Sequence, residues 1–500
     1  MREGEIIEIS LEITDFEDEP AIVAALSDAL LTDDPLRAVL TYRFAPLDDP
    51  GSPSGSAPRY RGRVVGRGDD DLPIGSDLRG YLFLVFLHAL RDVESDIKSW
   101  RNSPLRSLLE AAASSAPDED LVKVREAMEE ANESVNSLEV IRELSDSIAG
   151  RVTDIVGEGQ SFETELAVAP EDPLRLIRNM RIFVDGAARR ALSTTSLGSQ
   201  NVLYLALLEL GLAEQLSDST IAHVVLSIEE PEAHLHPHLQ RLVFGRLLRE
   251  NSSSRTMIVT THSPQIASVA PPRSLVVLRS SGRKTEAFAA GSAVLTNVEW
   301  DDIGRYLDVT RAELVFAKGV LLVEGDAEEM LIPRMAEFAG LSLDKSGVSV
   351  CNIRGTHFGS YVRFCEALGI RWAVVTDGDP RKQEAYRGST RAQRLMKYLG
   401  RQGAPEENGI YVGGETFEYD ILTVNDSNTS SCLNALHDLK GGAVSAGAAT
   451  ASRPAYDDFM SSITTAGGKG RFAQRLASYP VVAPEYVMRA LGWLGCDVTS

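Results

Sequence analysis

The chain has 500 residues, 43% of them hydrophobic, which is enough for two or three globular domains with real cores. Its formal net charge of −22 shapes solubility and long-range approach but does not exclude a nucleic-acid partner, because binding depends on local patches. Cys351, Cys365, Cys432 and Cys496 lack metal-ligand spacing, which argues against a disulfide framework and for a reducing compartment. The N-terminus "MREGEIIEISLEITDFEDEP" is too acidic for a signal or transit peptide, and "YLFLVFLHAL" is interrupted by His88 and Arg91 before it could span a bilayer. A cytoplasmic chain with no membrane partner is expected.

Residues 1–45 alternate apolar and polar positions ("EIIEISLEITDF", "RAVLTYRF"), the pattern of half-buried antiparallel strands. Residues 48–63 read as a loop by composition. From Tyr81 to about Arg190 the chain reads as helical, with heptad-like spacing over 121–150, suited to a helical arm. Short apolar strands then alternate with helices: "AHVVLSI", "RTMIVTT", "SLVVLR", "GVLLVEG", "VSVCNI" and "RWAVVTD". Such alternation predicts an α/β protein with parallel sheets. Residues 300–319 read as a linker between two such sheets, and 441–452 as a flexible loop.

Three segments of the first half fit a nucleotide site. "STTSLGSQNVLYLALL" sets Ser196, Gly198 and Gln200 at the start of an apolar helix, where small residues let backbone N–H groups approach a phosphate. The strand "VVLSI" presents Glu229 and Glu230; in nucleotide hydrolases the first acid holds Mg²⁺ through water and the second orients the attacking water. "MIVTTHSP" ends in His262, which can hydrogen-bond a γ-phosphate. His234, His236 and His238 read as a loop cluster rather than a metal site. The order resembles the ATPase head of the ABC superfamily, and "IEEPEAHLHP" followed by "TTHSP" resembles the overcoming-lysogenization-defect (OLD) nucleases. The phosphate loop G-x-x-x-x-G-K-[ST] is missing: Lys precedes Ser or Thr only at Lys98, Lys284 and Lys345, never after the required glycines. ATP remains a possible cofactor, but little ATPase activity is expected, and the chain reads as an N-terminally shortened form of a longer protein.

"KGVLLVEGDAEEMLI" reads as a strand ending in Glu324, a glycine turn and a helix carrying Glu328. Asp326 stands in a cap position, where acids commonly serve only as caps. "RWAVVTDGDP" ends a second strand with Asp377 and Asp379, which share a face if the backbone stays extended. Four carboxylates at neighbouring strand ends predict a site for one or two Mg²⁺ or Mn²⁺ ions. The pattern is similar to the Toprim fold, and Toprim directly after an ABC-like head marks the OLD family. The resemblance covers about residues 5–478. It adds Gly355 on a glycine turn, Glu418 as a further metal ligand, and Lys469 near the scissile phosphate.

The expected architecture is an ABC-type ATPase head over 1–308, with its helical arm at about 81–190, and a Toprim domain over 309–500 ending in a helical segment. The resemblance implies a metal-dependent DNA endonuclease, with Glu324, Asp377, Asp379 and Lys469 catalytic in the Toprim domain and Glu230 in the head. It also implies a homodimer or higher homo-oligomer, regulation by the head, phage defence and a possible defence-system partner protein. The alternative is a non-hydrolytic regulatory or assembly subunit that uses the head to dimerise. Residues 381–401 carry seven Lys or Arg against one Glu, and are expected to guide the phosphate backbone through Arg391 and Arg394.

Overall fold

The computed structural model describes residues 6–496 apart from 34, 47–59, 67–81, 90–102, 157–171, 185–187, 189, 218–220, 251–253, 281, 283, 309–310 and 440–452. The loop expected at 441–452 and much of that expected at 48–63 lie outside the described residues. By contacts the chain divides into two units, Met1–His236 with Asn251–Thr260, and Pro237–Glu250 with Thr261–Ser500.

In the first unit the alternating N-terminal segments form an antiparallel sheet. Its strands are β1 (Ile7–Ile13), β2 (Leu30–Asp33), β3 (Leu36–Pro46) and β4 (Tyr60–Gly66), with β3 paired to all the others. Tyr60–Arg63 are thus strand, where composition alone suggested loop. Phe16, Ile22, Leu26, Ala29 and Ala38 are buried together beneath this sheet. A second, parallel sheet has the order β5 (Leu82–Leu87), β8 (His223–Glu229), β9 (Arg255–Thr260). Residues 82–87 therefore leave the expected helical arm: six consecutive apolar residues pair better beside β8 than they solvate on a helix. The arm itself is present as helices Pro104–Ser115, Asp118–Asn136 and Glu139–Val156. A two-residue hairpin, β6 (Phe183–Val184) with β7 (Arg190–Ala191), precedes the apolar helix Leu197–Ser217.

The second unit is built on a four-stranded, all-parallel sheet, β12 (Gly319–Val323), β13 (Val348–Asn352), β14 (Arg371–Thr376) and β15 (Ile410–Val412), in the order β13-β12-β14-β15. Every residue of β12 is buried, as expected of a central strand covered on both faces. The strand period of two sends Leu321, Val323, Ala373 and Val375 into one core and Val320, Leu322, Trp372 and Val374 into the other. Helices Asp326–Phe338, Phe417–Thr423, Asp426–Leu439, Lys469–Leu476 and Glu485–Trp493 supply the first core. Helices Asn297–Tyr306, Phe358–Ala367 and Gly388–Leu399 supply the second.

Two expectations change here. "SLVVLR" belongs to β10 (Val276–Ser280), which pairs antiparallel with β11 (Thr285–Ala289) as a hairpin rather than joining a parallel sheet. Residues 300–319 are not a bare linker: a capping box between Thr296 and Glu299 starts helix 297–306, and Trp300, Ile303 and Tyr306 are buried in the second core. The boundary expected at residue 308 thus falls inside this unit. All four cysteines are free and buried. Among the described residues, no helix is long and apolar enough to cross a membrane.

Candidate active site

β13 and β15 flank the β12–β14 pair on opposite sides, so the chain leaves β12 and β14 in opposite directions. A crevice opens at the carboxyl ends of such a pair, and open α/β sheets bind ligands there. Glu324 follows β12, Glu328 lies in the first turn of the next helix, and Asp377 follows β14. Together with Asp326, Lys469 and the adjoining backbone they line a cavity of about 330 Å³. Gly355 N donates to Glu324 O at 3.0 Å, fixing the strand end.

The carboxylates differ in their surroundings. Glu328 is 5% exposed, and burial, then the charge of Glu418, push its carboxyl up to about 7. Burial, then Glu328, hold Asp377 well above the ordinary carboxylate range, and Lys469 only partly offsets this. Asp377 Oδ1 accepts from Phe417 N at 2.9 Å, while Oδ2 lies 3.7 Å from Lys469 Nζ. Glu418 is 1% exposed. Its Oε2 stands 2.8 Å from Lys469 Nζ, an ion pair by distance, yet neither oxygen has an aligned hydrogen bond. Burial works against the charge on Lys469, but Glu418 and Asp377 outweigh it and raise the ammonium above its usual range.

Asp379 is placed differently from the sequence expectation. β14 ends at Thr376, Asp379 has φ +49°, and the backbone from Asp377 to Asp379 is therefore not extended. Gly378 makes this turn possible, because a Cβ there would sit 2.3 Å from Gly413 O. Asp379 consequently does not line the cavity. Its Oδ2 pairs instead with Lys382 and Arg391, each at 2.9 Å.

Arg391 is the residue that the sequence reading misplaced. Expected on a DNA-facing surface, its side chain is only 10% exposed and turned inward, to Glu324 Oε1 at 3.0 Å and to Asp379. Arg394 and Lys397 on the same helix are exposed. A signal was present: Arg391 precedes buried Ala392 and lies four residues before buried Leu395, on the edge of the apolar face.

The donors are all oxygens, suited to a hard divalent cation. A buried carboxylate without aligned hydrogen bonds stands among carboxyls whose ionised forms burial and like charge disfavour, and such an ion would stabilise those ionised forms. Among the described residues, no group of three or more Asp, Glu, His or Cys side chains is arranged to hold an ion as it stands. Arg391 and Lys469 draw the carboxylates to themselves instead.

Glu328 gives a pH signature. Without metal, the folded protein keeps this proton up to about pH 7, whereas an unperturbed glutamate releases it near 4.5. Its contribution is therefore fully retained below pH 4.5 and lost as pH rises towards 7, a fall of about 3 kcal/mol for a shift of this size. Urea unfolding in EDTA at pH 5 and pH 8 should show this decline, with a shallower one in Glu328→Gln. An unchanged decline in the variant would remove Glu328 as its source.

Ser196 Oγ accepts from Ser199 N at 3.2 Å. Gly198 packs close to the next loop, since a Cβ would sit 2.6 Å from His234 O. Gln200 is buried, its amide donating to Leu192 O at 3.1 Å and Thr195 O at 3.3 Å. Glu229 ends β8 half exposed, 3.8 Å from His88 Nδ1, and Glu230 follows with φ +39°. His262 is exposed and falls in the second unit.

Residues 315–379 match the family described as the overcoming lysogenization defect protein-like Toprim domain, and residues 83–267 match an AAA ATPase domain. The chain is similar to the OLD family in its second unit. It is an α/β protein with an ATPase-type head followed by a Toprim parallel-sheet domain. It is 27% identical over 346 residues to the OLD nuclease of Thermus scotoductus, a match covering 67% of this chain and 62% of that protein. It is 27% identical over 188 residues to the endonuclease GajA of Bacillus cereus, covering 37% of this chain and 32% of that protein. A 29% match over 158 residues links it to the Escherichia coli protein YbjD, covering 32% of this chain and 28% of that protein. The chain thus matches less than two thirds of the length of each. The C-terminal region of the Burkholderia pseudomallei OLD protein aligns at 28% identity, covering 36% of this chain and 97% of that one, with a TM-score of 0.31.

Proposed function

We propose that this chain is a DNA endonuclease of the OLD type dependent on a divalent cation, Mg²⁺ or Mn²⁺, with phosphodiester hydrolysis in the second unit. The observation that carries this is the cavity at the β12–β14 switch point, where Glu324, Glu328 and Asp377 face Lys469. Glu324, Glu328, Asp377 and Glu418 would hold the ion or ions, with Asp379 joining once freed from Arg391. Divalent cations bound there would supply Lewis-acid activation of water and neutralise charge on the phosphate. Lys469, kept cationic by its acidic neighbours, would bind a phosphate oxygen and offset the charge that develops on it. Arg394 and Lys397, exposed on the helix beyond Asp379, would contact the DNA backbone. The family resemblance supports a head that dimerises and regulates cutting, in phage defence, with Ser196, Gly198, Gln200, Glu229 and Glu230 contributing to an ATP site.

Incubation of the purified chain with supercoiled plasmid tests the proposal. Nicked or linear DNA is expected with Mg²⁺ or Mn²⁺ and none with EDTA. Intact plasmid under all metal conditions, with and without ATP, would instead favour a non-hydrolytic assembly subunit.

A further inference from the structure

Arg391 spends its whole hydrogen-bonding capacity on the site. Its Nε donates to Thr376 Oγ1 at 3.0 Å, Nη1 to Asp379 Oδ2 and to Tyr386 O, and Nη2 to Glu324 Oε1 and to Asp377 O. A guanidinium has five N–H donors, and here all five are engaged by two carboxylates, one hydroxyl and two carbonyls. The remaining acids are in a different condition. The Glu328 and Asp377 carboxyls line the cavity beside Lys469, and Glu418 meets the partly exposed Lys469. The constellation therefore has two halves: an open one, Glu328, Asp377 and Glu418, with the partly exposed Lys469 beside it, and a closed one, Glu324 and Asp379, already neutralised by Arg391.

We propose that Arg391 is a positioning residue that acts as a built-in counter-cation, holding Glu324 and Asp379 in place until a second divalent ion displaces it. The inference rests on the reading above that these carboxylates hold divalent cations. A cation can share Glu324 Oε1 and Asp379 Oδ2 only if the guanidinium leaves them, because two positive groups cannot occupy the same oxygens without strong repulsion. Glu328, Asp377 and Glu418 would hold a first ion without moving Arg391. Arg391 would compete with a second ion for Glu324 and Asp379, so the two affinities would be split. The arrangement also keeps Asp379 and the turn at Gly378 ordered when metal is scarce, which a cluster of bare carboxylates would not do.

The test is Mn²⁺ binding to the full chain without DNA, read as free Mn²⁺ by electron paramagnetic resonance. In Arg391→Gln, which keeps polar contacts and removes the charge, the weaker Mn²⁺ affinity should tighten about tenfold or more, the scale of removing one like charge beside the site. Arg391→Lys keeps the charge and should stay within about threefold of the unchanged chain. Unaltered or weaker binding in Arg391→Gln would overturn the proposal. A second readout needs no variant: arginine-selective labelling with phenylglyoxal, followed by mass spectrometry. Arg391 should be protected in EDTA and labelled at saturating Mn²⁺; protection under both conditions would overturn the displacement. The nuclease reading fails separately. If neither the unchanged chain nor Arg391→Gln binds Mn²⁺, both fall, whereas Mn²⁺ binding indifferent to Arg391→Gln removes only the role given to Arg391.

Discussion

Replacing Asp377 with asparagine is expected to lower metal-dependent plasmid cleavage by about a thousandfold or more, the upper range for removing one electrostatic element of a reacting site. Asp377 is the acid on which the site's geometry converges. It closes the β14 strand end, anchors Phe417 N through Oδ1, and turns Oδ2 into the cavity towards Lys469. The substitution should not damage the fold, because an amide oxygen can still accept from Phe417 N. It should make the metal-free protein at neutral pH somewhat more stable, since burial and Glu328 already disfavour the ionised carboxyl. Nicking rates at saturating Mg²⁺ and urea unfolding in EDTA measure the two effects. Cleavage within about tenfold of the unchanged chain would exclude Asp377 from the reaction, and a clear loss of metal-free stability would contradict the repulsion argument.

The parts of this architecture that were legible in the sequence are those set by local pattern. Four consecutive apolar residues before Glu324, and four within "RWAVVT" before Asp377, mark two central strands, and their carboxyl ends bring Glu324, Glu328 and Asp377 to one cavity. The failures come from backbone turns and tertiary pairing. The D-G-D run appears extended in sequence, but contacts from Gly413 and Gly414 to Gly378 fold it, and the left-handed Asp379 turns away. Helix 388–399 looks like a basic surface by count, yet its Arg391 is drawn inward by Asp379 just before the helix and by Glu324, which is distant in sequence. Residues 82–87 join a strand because β8 lies beside them, which a reading of periodicity alone could not supply. Helix 297–306 was recoverable, since T-N-V-E is a capping-box pattern and Trp300, Ile303 and Tyr306 recur every third residue.

Lys469→Met should separate two roles that one side chain combines. Removing the ammonium leaves Glu418, 1% exposed, without its cation and strengthens the repulsion among Glu328, Asp377 and Glu418. A loss of about 3 kcal/mol is expected in EDTA, at the low end for breaking a buried ion pair because Lys469 itself is 46% exposed. Saturating Mg²⁺ should recover much of that loss, since a divalent ion meets the same carboxylates. Cleavage should fall about a hundredfold to a thousandfold even at saturating Mg²⁺, because a metal held by carboxylates does not replace a cation on the phosphate. Adding Glu418→Gln distinguishes the roles, as the double variant removes the uncompensated buried charge along with its partner. Its metal-free stability should return to within about 1 kcal/mol of the unchanged chain, as replacing both members of a buried pair often allows, while cleavage stays low. If the double variant regained cleavage together with stability, Lys469 would be only a structural counter-ion for Glu418.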